Sequence, residues 1–288
     1  RGRTKLTMSM TGIGMWRTDP NPVGGISFAP HPYCYRCPLG KTYPECDLAC
    51  ANAVEDIIKT NTSGKVAAFF AEPIQGNAGI ITPPPGYFQR LKEILDKYNI
   101  LLVVDEVQTG FGRTGKMFAI ENFNIVPDIM TVAKALGNGT PISAFIATAQ
   151  IADSYVKPGA STLGGNPVSS TAALATLDYI DSENLISKAT ERGQQLFNGL
   201  KTLQDKHQII GDIRGLGLMR GAELIHADKT PASAETDFIL EEMKNFGFII
   251  GKNGTERNVL AFQPPLIITE DNINEMLNAL DLVLGKIK

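Results

Sequence analysis

LLVVDEVQTGFGRTG, residues 101–115, runs from four apolar residues straight into two adjacent acids and then into a glycine-rich turn carrying one arginine. A short, continuous apolar run closed by a turn is the pattern of a parallel strand covered on both faces. Ending such a strand on Asp105 is expensive, because a buried carboxylate without a partner either neutralises or costs several kcal/mol. A cationic partner is therefore expected beside it.

Outward from this strand the signals alternate as they do in α/β proteins. VAAFFAEP (66–73) is a short apolar run ending in an acid and a proline. After the breaker TPPPG, the segment 86–100 places Phe88, Leu91, Ile94 and Leu95 at helical spacing. PDIMTVAKALGNGTP (127–141) reads as a short strand feeding a glycine-rich loop, and 166–180 and 183–207 read as helices. The texture then changes. Residues 209–225 suggest two short strands around Gly215 and Gly217, 233–247 a helix, and 258–269 a strand before a last helix. The expected organisation is a mostly parallel-stranded α/β large domain over 1–178 and a smaller α+β domain over 179–288. No internal repeat or low-complexity segment interrupts it.

The 288 residues are 43% hydrophobic with a formal net charge of -3, enough to bury a sizeable core. The signs are interspersed without a basic patch or arm, which argues against nucleic acid as a partner. No apolar run approaches the roughly 18 residues of a membrane span, and no signal peptide opens the chain. A cytoplasmic enzyme is the expectation. The sequence starts without Met, so its first residue is not expected to be the true start.

In an open parallel sheet, ligands collect at the carboxyl ends of the strands. Asp105 is expected at such an end. Lys134 is expected at another, among apolar neighbours and glycines that let a ligand approach the backbone. A partly desolvated, nucleophilic lysine with a carboxylate to keep a ring nitrogen protonated is the arrangement pyridoxal phosphate needs. The competing reading makes Asp105 a turn cap and Lys134 a surface lysine, and spacing alone leaves both open.

DEVQTGFGRTG (105–115), PDIMTVAKALGNGTPISA (127–144), STLGGNPVSSTAALA (161–175), AEPIQGNAGIITPPPGYFQRL (71–91) and GDIRGLGLMRGAEL (211–224) together resemble the class III pyridoxal-phosphate aminotransferases of fold type I. That group includes ornithine, 4-aminobutyrate and alanine–glyoxylate enzymes. The likeness runs from Arg1 to the C-terminal helix, with the motifs in family order. It implies pyridoxal 5'-phosphate as cofactor, small-molecule amines and 2-oxo acids as substrates, and a homodimer with shared active sites. Lyases and amino-acid racemases also occur on this scaffold.

The resemblance also implies roles for particular residues. Lys134 would hold the cofactor covalently and then carry the proton between substrate and cofactor. Asp105 would pair with the pyridine nitrogen, Val107 would pack on the ring face, and Gln108 would bond the ring's phenolic oxygen. Thr162 in STLGG would reach the cofactor phosphate of the neighbouring subunit. Arg113 in GFGRTG reads as loop support more than as a substrate ligand, and Glu72 in AEPIQG as a positioning residue near substrate. Arg3 in RGRT matches the arginine that binds a distal carboxylate in the 4-aminobutyrate branch, with Arg1 in the place of a histidine; a surface arginine is the plainer reading.

Departures from the family matter as much. Its Gly-Ser phosphate loop and ring-stacking aromatic lie ahead of the position of Arg1, so half of the phosphate site is expected to lie outside this sequence. The 4-aminobutyrate branch pairs the glutamate of QGE with the arginine of LRxxxPL. Here those positions hold Asn77 and Ala261. Both charges are gone together, which predicts poor handling of glutamate and 2-oxoglutarate.

CYRCPLGKTYPECDLAC (34–50) clusters Cys34, Cys37, Cys46 and Cys50 in two close pairs. Reduced thiols in a loop, a metal site, and a redox or disulfide role all remain open, although the spacing fits no standard zinc ribbon. His31, His207 and His226 form no ligand pattern, so no metal is expected. GLGLMRG has the wrong spacing for a dinucleotide fingerprint.

Overall fold

A computed structural model describes residues 2–287. The chain divides into two compact units, the first made of residues up to Pro73 with 83–108 and 120–174, the second of 74–82, 109–119 and 175–288. The boundary expected at Tyr179 falls inside a helix, Pro167–Ser182.

The first unit is built on a four-stranded sheet in the order β1 (Ala68–Ala71), β2 (Leu101–Asp105), β3 (Ile129–Val132), β4 (Ala144–Ala147). β1, β2 and β3 are parallel, and β4 pairs antiparallel on β3 at the edge of the sheet. β2 is buried along Leu102, Val103 and Val104, as expected for a strand covered on both faces. The helices of this unit include α1 (Lys5–Ser9), α2 (Ala49–Thr60), α3 (Tyr87–Lys97) and α4 (Ala149–Asp153). α3 starts where the prolines end, at Gly86 with φ 84°, and buries Phe88, Leu91 and Leu95 on one stripe. Register between β2 and β3 is pinned from the side: the Asp128 carboxylate accepts the Leu102 N–H at 2.7 Å.

α5 (Pro167–Ser182) runs on from the first unit into the part of the sequence that forms the second. The second unit carries α6 (Leu185–Lys206), α7 (Ser233–Asn245) and α8 (Glu270–Leu284). Its antiparallel sheet has the order β5 (Ile210–Leu216), β6 (Met219–Leu224), β8 (Val259–Phe262), β7 (Gly251–Asn253). α8 begins as its sequence asks: the Thr269 side chain accepts the Asn272 N–H, and Glu270 and Asp271 sit in the first turn, where the helix dipole favours acids. Two pieces of the earlier sequence belong here because of what they bury. Ile74 and Ile80 pack with Met219 and Ala261 in one apolar cluster. The Gln75–Ile81 hairpin between them is held by Arg214 Nε on the Gly79 carbonyl at 2.8 Å, and Asn253 Nδ2 on the Gly76 carbonyl at 3.0 Å.

Candidate active site

Sheet register assembles the site in the first unit. Ala71 lies opposite Val104, and Asp105 opposite Thr131, so the carboxyl ends of β1, β2 and β3 are level. Glu72 follows β1, Asp105 ends β2, and Lys134 comes two residues after the end of β3. A carboxylate, a second carboxylate and a primary amine thus leave the same edge of one parallel sheet, where such sheets bind ligands.

The two acids of the DE pair do different work. Glu106 is fully buried, and its Oε1 accepts the Ile120 N–H at 2.8 Å, anchoring the chain where it returns to this unit. Asp105, 7% exposed, accepts the Val107 N–H on Oδ1 at 3.1 Å. Asp105 thus also serves as a turn cap through Oδ1. Val107 and Gln108 follow it, half-buried.

Lys134 is exposed and opens a short 3-10 helix, Lys134–Gly137, with φ 46°. A residue other than glycine in the left-handed region costs about 1–2 kcal/mol. The surrounding turns hold it there: Leu136 N–H bonds the Ala133 carbonyl at 3.1 Å, and Thr140 N–H the Gly137 carbonyl at 3.0 Å. No property of the AKALGNG string announced this conformation, which fixes where the amine leaves the backbone. Thr162 lies exposed in the loop ahead of α5. Arg3 is exposed next to the α1 cap Thr4, and Arg1 lies outside the described residues.

Arg113 belongs to the second unit. Its Nη1 donates to the Leu218 carbonyl at 3.3 Å and to the Pro264 carbonyl, while Leu218 N–H returns a bond to the Arg113 carbonyl at 3.0 Å. Burial pushes its guanidinium down to about 10. The β5–β6 turn comes so close that a Cβ on Gly217, at φ 50°, would sit 2.5 Å from the Thr114 backbone. Arg113 is thus loop support, with Nη1 spent on two main-chain carbonyls. We expect Arg113→Ala to destabilise the protein by about 2–3 kcal/mol, because two carbonyls lose their donor in a dry setting; denaturant titration reads this, and a midpoint unchanged from wild type would refute it.

Sequence reasoning passed over Glu106, Asp128 and Arg214. Arg214 Nη1 meets Asp212 at 2.7 Å and Glu223 at 2.9 Å while its Nε holds Gly79. A signal existed for Glu106 alone, as the second acid on a buried strand end; the partners of the other two are set by tertiary contacts.

The family model described as Aminotransferase class-III matches residues 1–284. The chain belongs to that family, whose members depend on pyridoxal phosphate, and it has the type I fold of these enzymes. It is 41% identical to the leucine/methionine racemase of Thermococcus litoralis, over 100% of this chain and 66% of the relative. It is 40% identical to alanine–glyoxylate aminotransferase 2 homolog 2, mitochondrial, of Arabidopsis thaliana, over 99% of this chain and 59% of the relative. An amine transaminase from an uncultivated Pseudomonas species, solved in its PLP-bound form, superposes with TM-score 0.92 at 31% identity, covering 100% of this chain and 68% of that one. The chain therefore spans about three fifths to two thirds of the length of these relatives.

The residues present fit the cofactor. A buried carboxylate held by its own turn at a strand end suits a protonated ring nitrogen; Lys134 is exposed rather than partly desolvated as expected, and its amine, just past the neighbouring strand, is open to an aldehyde. Among the described residues no helix is long and apolar enough to cross a membrane.

Proposed function

We propose that the intact protein is a pyridoxal-phosphate-dependent aminotransferase that moves an amino group from an ω-amino acid or an alanine-like donor to a 2-oxo acid. The observation that carries this reading is the pairing of Asp105 and Lys134 at level ends of adjacent parallel strands in a class III chain. When bound, the cofactor supplies an electron sink for the charge left when a proton leaves the substrate carbon that carries the amino group.

The chain's own residues would do the rest. Asp105 would keep a proton on the ring nitrogen, Lys134 would tether the cofactor and later move a proton at the substrate carbon, Val107 would pack on the ring face, and Gln108 would donate to the phenolic oxygen. Thr162 serves the phosphate of a partner subunit, and Glu72 and Arg3 orient substrate. We assign residues 1–178 to the cofactor-binding domain and 179–288 to the small domain. A cytoplasmic homodimer is part of the proposal. The apolar side chains left outside, Phe145 at 73% and Leu163 at 76% exposure, favour covering by a second copy.

A second reading, a racemase or lyase on the same scaffold, is favoured by the 41% identity to a racemase. Incubating the intact protein with candidate amino acids and no oxo acid separates the two. About one equivalent of the donor's oxo product per site indicates transamination, and loss of optical activity without oxo product indicates racemisation. Continuous release of product with elimination of a substituent indicates a lyase.

Substrate choice follows from Asn77 and Ala261. Ala261 is buried on β8 beside Ile74, Ile80 and Met219, and Asn77 uses its carbonyl to accept the Gly254 N–H at 3.0 Å. Ala261 lies in an apolar cluster, and neither Asn77 nor Ala261 supplies a charge that could clamp a carboxylate. We expect kcat/KM for glutamate to fall about ten- to a hundredfold below that for alanine, with pyruvate or glyoxylate preferred as acceptor. Steady-state kinetics with each pair checks it, and a wild type as efficient with glutamate would sink it.

A further inference from the structure

We propose that Asn138, in the loop that carries Lys134, is a site of spontaneous covalent modification: its side chain closes onto the Gly139 main-chain nitrogen, and water opens the ring to isoaspartate or aspartate. The inference does not depend on the aminotransferase reading. Asparagine followed by glycine is the pair prone to this chemistry, because glycine has no Cβ to hinder its nitrogen from reaching the asparagine side chain. The sequence holds three such pairs, Asn138–Gly139, Asn198–Gly199 and Asn253–Gly254.

The fold protects two of them. Asn198 and Gly199 lie in the interior of α6, where main-chain N–H groups are committed to the helix ladder, and Asn198 Oδ1 accepts from Gln194 Nε2 at 2.8 Å. The helix is packed tightly there, since a Cβ on Gly199 would sit 2.1 Å from the Leu277 side chain. Asn253 ends β7, and its Nδ2 donates to the Gly76 carbonyl at 3.0 Å. The Gly254 N–H, the nucleophile of that pair, is already bonded to the Asn77 carbonyl at 3.0 Å.

Asn138–Gly139 has none of these restraints. Both residues are exposed, and the Gly139 N–H makes no hydrogen bond among the described residues. Asn138 ends the short helix Lys134–Gly137 at φ 44°, and Gly139 follows at φ 106°, with no atom beyond its chain neighbours within 4 Å of where a Cβ would stand. The place matters for what surrounds it. The turn closed by the Thr140 N–H on the Gly137 carbonyl at 3.0 Å spans this peptide bond, and that turn is one of those holding Lys134.

The chemistry balances without an oxidant or reductant. The Gly139 nitrogen gives up its proton to base and attacks Asn138 Cγ; the bond from Cγ to Nδ2 breaks, and Nδ2 leaves as ammonia. Water then adds to one carbonyl of the cyclic imide. Opening at Cγ gives aspartate, whereas opening at the main-chain carbonyl gives isoaspartate, with the chain now running through the former side chain. Overall a carboxamide and water become a carboxylic acid and ammonia. Either product puts a negative charge on the Lys134 loop at neutral pH, and isoaspartate also lengthens the backbone of the turn from Gly137 to Thr140.

The test ages the intact native protein in mildly alkaline buffer, with a urea-unfolded sample alongside, and follows all three pairs by peptide mapping. In the native protein the Asn138 peptide should gain the mass of NH exchanged for O and split into aspartate and isoaspartate forms. It should react about tenfold or more faster than the Asn198 and Asn253 peptides, whose N–H groups are released only by local unfolding. Unfolding should bring the three rates together. Isoelectric focusing of the aged native protein should show a new acidic band, absent from Asn138→Gln, whose longer side chain closes the ring far more slowly. An Asn138 peptide unchanged in the native protein, native Asn198 or Asn253 reacting as fast, or an acidic band that persists in Asn138→Gln would overturn the proposal.

Discussion

Replacing Lys134 with alanine in the intact enzyme is expected to lower kcat by about three orders of magnitude or more, with the fold retained. Two losses combine. The amine that would hold the cofactor is gone, and so is the group that would carry the proton at the substrate carbon, a role worth about 10²–10⁴ alone. Lys134 is exposed, so truncating it opens no cavity. Its backbone is already held at φ 46° by the turns around it, and alanine there carries no more strain than lysine. A denaturation midpoint near wild type should accompany the loss of activity. Lys134→Arg should fail as well, because it keeps the charge without the nucleophile. Borohydride treatment of the cofactor-loaded enzyme and peptide mapping should place the pyridoxyl group on Lys134. A label on Lys116 or Lys157 would remove the assignment.

Asp105→Asn should cost about 10²–10³ in kcat, through charge alone. An asparagine oxygen can still accept the Val107 N–H that Asp105 now accepts at 3.1 Å, so the turn survives. What disappears is the negative charge that would keep a ring nitrogen protonated in a site 7% exposed, where water cannot replace it. Glu106→Gln is the control. Its side chain is bound to the Ile120 N–H, so that change should act on stability with little effect on kcat. Activity of Asp105→Asn within a few fold of wild type would show that this carboxylate is only a turn cap.

Much of the first unit was legible from period and punctuation. The run 101–105 reads as a buried parallel strand because every residue is apolar up to the acid, and α3 reads from Phe88, Leu91, Ile94 and Leu95 after a proline block. β4 was not legible. AFIA at 144–147 sits in a loop-like context after Gly137, Gly139 and Pro141, and its strand state comes from the open edge of β3 that it pairs with. α2 is hidden in the sequence by the cysteine and proline pattern ahead of it, which is loop-like, while Val54 and Ile58 bury its face.

The sequence by itself determined the class of the chain and its candidate residues, because motif order and residue type survive without coordinates. Asp105, Lys134, Glu72 and the paired absences at Asn77 and Ala261 were all readable there. Tertiary structure alone decided how those residues are held. Strand register makes the ends of β1, β2 and β3 level, and register is a property of paired strands rather than of any one segment. The left-handed backbone at Lys134 is likewise imposed by surrounding turns against the local preference of lysine. Placement of 74–82 and 109–119 in the second unit rests on the apolar cluster around Met219 and Ala261 and on hydrogen bonds from Arg113 and Arg214. These partners lie about a hundred or more positions away in sequence, where no local pattern can record them.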